Sequence, residues 1–239
     1  MTTSAPAATA ARQTTPVELV VLDMAGTTVR DDGVVEQAFE RAARETGVAD
    51  RMPWADALDY VRRTMGQSKI DVFTHLSGGD GQRATVATAA FERAYADLID
   101  AAGVDPIRGA TETVERLRVA GLAVVLTTGF APATRDAIID RLGWSPLVDA
   151  ALSPADVGRG RPAPDLVLGA VLVTRTSSVA SVVVVGDTTS DIAAGRAAGA
   201  GLVVGVLSGA HDRDALLAAG ANAVIDDVTA LPALIGIDA

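Results

Sequence analysis

An apolar run that ends in an acid, VELVVLD (17–23), leads into a turn of small residues, MAGTT (24–28). This pattern presents the carboxylate of Asp23 at the carboxyl end of a buried strand. A carboxylate held there can attack phosphorus and form an acyl phosphate. Its charge repels a phosphoryl group, so the attack needs a cation. A second run, SVVVVGD (181–187), ends in Asp187, and Asp191 follows in GDTTSD. Oxygen ligands from Asp23 and Asp187, with the backbone carbonyl of Ala25, suit Mg2+, a hard ion that keeps several waters. Asp191 could bind the ion through water or orient a ligand. The amides of Ala25, Gly26 and Thr27, and the groups of Thr127 and Thr128 at the end of LAVVLTT (122–128) and of Gly129 after it, could donate hydrogen bonds to phosphoryl oxygens. Arg161, in GRGRPAPD, would offset charge on the nucleophile and the transferring group. Each signal has a plainer account when taken alone. A strand-end Asp often caps the next helix, a lone arginine usually sits in a surface ion pair, and a strand-end Thr is usually structural. It is the set in its order that points to phosphoryl chemistry.

These groups converge only if their strands run the same way. The Val- and Leu-rich runs at 17–23, 122–128, 181–187 and 201–207, with a short NAVID at 222–226, read as strands buried on both faces. Helical patterns at 111–121, 132–143 and 189–201, and a helix starting near Pro164, lie between the later runs. Such alternation predicts an α/β fold with a parallel sheet wrapped by helices. Residues 34–102 contain no strand run; three helical stretches there are interrupted by a loop at Gly78 and Gly79. This region reads as an inserted, all-helical cap domain (34–102) over the carboxyl ends of the strands, where open α/β sheets bind ligands. The core domain then comprises 17–33 and 103–239, and residues 1–16 are expected to be a disordered tail.

Composition removes several function classes. The formal charge of −10 argues against non-specific nucleic-acid binding. With no cysteine and only two histidines, His75 and His211, thiol nucleophiles and zinc sites of the usual kind are excluded. No run has the length of a membrane span. The first residues do not resemble a signal peptide, so a cytoplasmic location is expected.

In order, DMAGTT, Thr128, GRPAP and GDTTSD resemble the four motifs of the haloacid dehalogenase superfamily, over residues 17 to about 207. The helical insert falls where that superfamily places one kind of cap. The resemblance implies a Rossmann-like core, Asp23 as nucleophile, and Mg2+ held by Asp23, the Ala25 carbonyl and Asp187.

Most phosphatases of that superfamily carry an acid two residues after the nucleophile, which protonates the leaving oxygen. Here that residue is Ala25. The phosphonatase branch is known for AGTT at this point and for a lysine supplied by its cap. In TMGQSKIDVF (64–73), Lys69 falls at the matching place, with Met65 and Gly66 before it. Breaking a carbon–phosphorus bond expels a carbanion, which needs an electron sink. A lysine amine condensed with an aldehyde gives a protonated imine that accepts those electrons. Lys69 must first be neutral, and desolvation under a closed cap would lower its pKa. On a continuous helix Met65 would share its face at i−4 and give apolar cover, while His75 would point elsewhere. Without the resemblance, a solvated helix lysine is the ordinary expectation. Met24, Val72 and Phe130 stand where the branch carries tryptophan, histidine and tyrosine.

The sequence therefore leads to a Mg2+-dependent hydrolase of a small phosphonate aldehyde or analogue, with a phosphate-monoester phosphatase on a substrate such as phosphoglycolate as the alternative. A non-catalytic phosphoryl-accepting receiver module would need neither the insert nor GRPAP. The expected partners are a small phosphorylated or phosphonate substrate, no nucleic acid and no membrane. By analogy with relatives, a homodimer through the cap is possible.

Overall fold

The computed structural model describes residues 15–237. Strand β1 (Leu19–Asp23) is followed by four helices, α1 (Val34–Thr46), α2 (Trp54–Arg63), α3 (Lys69–Leu76) and α4 (Gly81–Ala102). Then come α5 (Ala110–Val119), β2 (Ala123–Thr127), α6 (Pro132–Leu142), β3 (Ala150–Leu152), α7 (Pro154–Val157) and α8 (Asp165–Thr174). The chain ends with β4 (Val182–Gly186), α9 (Thr189–Ala198), β5 (Leu202–Val206), α10 (Arg213–Ala218), β6 (Ala223–Ile225) and α11 (Leu231–Leu234).

The six strands form one parallel sheet in the order β3-β2-β1-β4-β5-β6. That is the doubly wound, Rossmann-like arrangement. β1, β4 and β5 are buried at every position, which is why they read as unbroken Val/Leu runs. The chain leaves β1 toward β2 and β3, then crosses back to β4 on the other side. The crevice where the order reverses lies between the carboxyl ends of β1 and β4, and Asp23 and Asp187 sit at its two lips.

No Val- or Leu-rich run marks β3 in the sequence. Its three residues, AAL, are half-buried at the sheet edge. A short edge strand needs no β-branched run, so its sequence carries little signal. The other strands fall within a residue or two of their expected ends.

All strands lie outside residues 34–102, and that segment is helical with turns. The sequence has four phenylalanines, and all of them meet in one cluster. Phe39, Phe73 and Phe91 come from the insert, and Phe130 from the loop after β2. Ring centroids lie 4.7 Å apart for Phe39–Phe91 and 4.5 Å for Tyr95–Phe130. Each such ring contributes about 1.5–3 kcal/mol by leaving water, so this cluster ties the insert to the sheet's carboxyl edge. Among the described residues no helix is long and apolar enough to cross a membrane. The expected tail lies outside the described residues apart from Thr15 and Pro16.

Candidate active site

β1 delivers Asp23 in register with Thr127 of β2. The chain then turns sharply: Thr28 and Val29 donate backbone hydrogen bonds to the Met24 carbonyl at 2.9 and 2.8 Å. Gly26 takes φ +88°, and a Cβ there would lie 2.5 Å from Asp187 Oδ2. Only glycine allows this turn to touch the second acid. Asp187 is held from both sides: Thr27 Oγ1 donates to its Oδ1 (3.0 Å) and the Ala210 amide to its Oδ2 (2.8 Å). Ser208 donates to the Gly26 carbonyl at 2.7 Å, closing the ring.

Arg161 reaches in from the loop before α8. Its Nη1 lies 2.5 Å from Asp23 Oδ1 and also donates to Asp191 Oδ1. Its Nε is buried and has no hydrogen-bond partner. Asp191 also forms a capping box with Thr188 at the start of α9, its Oδ2 accepting from the Thr188 hydroxyl (2.5 Å) and amide (3.1 Å). Both Asp191 oxygens are thus engaged by protein donors, which suits an orienting role.

Asp23, Asp187 and Asp191 are all buried, and one oxygen from each lies within 4.8 Å of the others. Burial raises the Asp23 pKa to about 6, with Arg161 opposing and Asp191 adding to the rise. Burial, then the charges of Asp23 and Asp191, push Asp187 well above the usual carboxylate range. Burial works against the Arg161 charge, but Asp191 and Asp23 override it and keep the guanidinium protonated. Three acids against one arginine leave excess negative charge in a dry place. An all-oxygen donor set with this imbalance fits a hard divalent cation. Ala25 lines the same cavity, and its carbonyl takes no hydrogen bond from the described residues.

That cavity, about 680 Å³, is where the insert meets the core. Asp23, Ala25, Gly26, Thr128, Gly129, Arg161 and Asp187 line it from the core, and Met65, Gly66 and Lys69 from the insert. Thr27, Thr127 and Asp191 are not in its wall. Thr27 acts on the site through Asp187, and Asp191 through Arg161. Thr127 is buried at the end of β2. Thr128 hydrogen-bonds through its amide to the Leu152 carbonyl (3.0 Å) and accepts from the Phe130 amide (3.2 Å), which fixes the loop. Glycines at the seam permit the close approach. A Cβ at Gly66 would lie 2.6 Å from Thr188 Oγ1, and one at Gly129 would lie 2.5 Å from the Gln67 carbonyl oxygen.

Lys69 is the first residue of α3, after the N-cap Ser68, and is 6% exposed. Its ammonium lies 5.6, 5.4 and 5.0 Å from the ring centroids of Phe39, Phe91 and Phe130. Burial pushes its pKa down to about 8. The charge of Glu92 opposes this, Arg161 adds to it, and Asp23 and Asp31 oppose it further. It is also the only lysine in the sequence; every other strong base is arginine. A unique lysine beside the AGTT turn is a signal that composition alone makes available.

The expected helical pairing of Met65 with Lys69 is corrected. Met65 and Gly66 lie in the turn before α3, Gly66 with φ +82°. Met65 lines the cavity from that turn, and the apolar cover of Lys69 is aromatic. His75 stacks on Tyr60, centroids 3.8 Å apart, and is absent from the cavity wall. Val72 is buried. Sequence reasoning missed the loop after β5, where Ser208, Ala210 and His211 reach the site, and it missed Asp31 in the cavity wall. His211 Nδ1 accepts from the Thr189 amide at 3.0 Å. The signal was available: a small-residue loop, SGAH, follows a strand at the same end of the sheet.

The fold and this cluster of acids define a hydrolase class. A family model of haloacid dehalogenase-like hydrolases matches residues 17–199, and the chain belongs to that family. It is similar to phosphonoacetaldehyde hydrolases: 31% identical to that of Parabacteroides distasonis over 54% of this chain and 58% of the relative. It is 27% identical to that of Lysinibacillus sphaericus over 82% of this chain and 77% of the relative. The match therefore spans little more than half the length of the first. The crystal structure of a phosphonoacetaldehyde hydrolase-like protein from Oleispira antarctica has the same fold, with a TM-score of 0.80, 23% identity, and coverage of 99% of this chain and 96% of that one.

Proposed function

We propose that the protein is a Mg2+-dependent hydrolase that cleaves the carbon–phosphorus bond of phosphonoacetaldehyde or a close analogue. The observation that carries this reading is Lys69: the sole lysine, buried among three rings, in the wall of the cavity that also holds Asp23.

The neutral Lys69 amine adds to the substrate aldehyde and loses water, giving an imine whose protonated form lies against the Phe39, Phe91 and Phe130 faces. Asp23 attacks phosphorus as the C–P bond breaks. Its electron pair moves into the iminium, leaving an enamine on Lys69 and an acyl phosphate on Asp23. Proton uptake at carbon and hydrolysis of the imine release the aldehyde and regenerate the amine. Water then hydrolyses the aspartyl phosphate. Arg161 holds Asp23 in place, and its guanidinium charge offsets the negative charge of the transferring group. Mg2+, when held by Asp23, the Ala25 carbonyl and Asp187, would offset the repulsion between carboxylate and phosphonate. No acid is needed at position 25, because the leaving group departs as an enamine.

Reduction with borohydride in the presence of phosphonoacetaldehyde tests this directly. A stable adduct on the Lys69 peptide is expected, and its absence during turnover would remove the imine route. Phosphate-monoester hydrolysis is the second reading, and Asp31 favours it. This cavity acid has its pKa raised by burial and could protonate a leaving oxygen in place of residue 25. Phosphate release from esters by Lys69→Met at the wild-type rate would establish that reading.

A further inference from the structure

Outside the main cavity, the insert and the core also meet where α4 reaches α6, through an Arg141–Asp100 ion pair and through Glu92. Glu92, on α4, accepts a hydrogen bond from the Ala131 amide at 3.1 Å and another from the Thr134 hydroxyl. Ala131 is the N-cap residue of α6, and Thr134 lies in its first turn. An alanine side chain cannot cap a helix, so α6 draws this bond from a carboxylate 39 residues away. The position also suits the positive end of the helix dipole.

A tertiary cap would account for this much. Two observations connect it to the active site. Phe130 immediately precedes Ala131, and Phe91 immediately precedes Glu92; these two rings approach the Lys69 ammonium most closely, at 5.0 and 5.4 Å. Lys69 and Glu92 also share the wall of a second cavity, about 360 Å³, which has Lys69, Gly129 and Phe130 in common with the first. The segments that Glu92 clamps together carry the two rings nearest to Lys69.

We propose that Glu92 is a positioning residue: its carboxylate latches the helical insert onto the first turn of α6 and fixes the Phe91 and Phe130 rings, and hence the Lys69 amine, over the reacting centre. Its catalytic consequence rests on the imine reading; the latch itself does not. The carboxylate also contributes through its charge. The charged groups that face Lys69 are Glu92 from α4, Asp31 from the segment before α1, Asp23 at the end of β1 and Arg161 from the loop before α8. Of the three acids, Glu92 favours the ammonium most.

The test uses the single lysine. In protein grown on lysine carrying 13C at Cε, one side-chain resonance reports the Lys69 charge without any substrate. Glu92→Gln keeps a hydrogen-bonding group but removes the charge, and it is expected to move the titration midpoint to lower pH. Glu92→Ala should do the same and also lower kcat for phosphonoacetaldehyde by about tenfold or more, with a smaller change in KM, as expected for misplacement of a reacting group. Thr134→Val keeps the charge and cuts one bond of the latch; it should lower kcat and leave the midpoint in place. A midpoint unmoved in both Glu92 variants, or an unchanged kcat in Glu92→Ala and Thr134→Val, overturns the proposal even if thermal stability falls. Wild-type turnover by Lys69→Met would instead sink the imine reading and leave the titration result standing.

Discussion

The ammonium of Lys69, on the insert, lies 5.0 Å from the ring of Phe130, on the core. The amine needed for imine chemistry is therefore surrounded completely only when the two parts of the chain are together. Its low pKa belongs to that closed arrangement, because burial is the main cause.

This fixes a pH dependence. In the proposed imine route the free amine is the reactive form, so kcat/KM on phosphonoacetaldehyde should rise with pH and level off above about 8. Stability follows the same group. The folded pKa, about 8, lies below the ordinary 10.5, so between these values the unfolded chain binds more protons at Lys69. Unfolding free energy should then rise with pH across this window, and the penalty is largest and constant below it. A kcat/KM profile flat from pH 6 to 10 (roughly the range that brackets such an amine) would contradict the assignment.

Removing the amine should have opposite effects on activity and stability. Lys69→Met keeps a long side chain and deletes a buried charge. A downward shift of this size costs on the order of 3 kcal/mol at neutral pH, of which three ring faces return about 1–2 kcal/mol. The variant should lose phosphonate turnover and borohydride trapping and melt a few degrees higher. Calorimetry beside a phosphate-release assay reads both effects.

The seam can be loosened without touching a reacting group. Gly129 has an ordinary φ, so Gly129→Ala leaves the backbone unstrained, but its Cβ would lie 2.5 Å from the Gln67 carbonyl. The insert must move off the core by a fraction of an ångström or more. A loss of kcat of about tenfold to a hundredfold is expected, with the folded state retained. Wild-type kinetics in this variant would show that the close approach is not part of the working arrangement.

How much of this could be read in the sequence depends on whether each feature is local. β1, β4 and β5 were legible because burial on both faces demands Val and Leu throughout. The acids at 23 and 187 were legible because they end those strands. β3 was not, since a three-residue alanine-rich edge strand is specified by its neighbour rather than by its own residues. The spacing of Met65 allows it to share a helix face with Lys69, but Gly66 and Ser68 end that continuity and start α3 at Lys69 itself. Ser208, Ala210 and His211 reach the site only because β5 runs parallel to β1 two strands away. Glu92 looks like any surface acid on α4 until the partner residues of α6 are brought beside it.

The acid cluster gives the remaining prediction. Asp187 has its pKa raised by burial and by Asp23 and Asp191, so without a cation the folded state holds a proton that the unfolded chain releases. Stability contributed by that proton is present at low pH and is lost as pH rises through the folded pKa. A divalent ion held by Asp23 and Asp187 would replace the proton as the neutralising charge. Mg2+ should therefore raise Tm at pH 7 to 8 and have little effect near pH 4, and EDTA should abolish turnover reversibly. In Asp187→Asn the repulsion of Asp187 with Asp23 and Asp191 is gone: the metal-free protein should be more stable than wild type at pH 8, insensitive to Mg2+, and inactive. Thermal melts of both proteins, with and without Mg2+ at the two pH values, decide it. A Mg2+-dependent rise in Tm that survives Asp187→Asn would place the ion elsewhere.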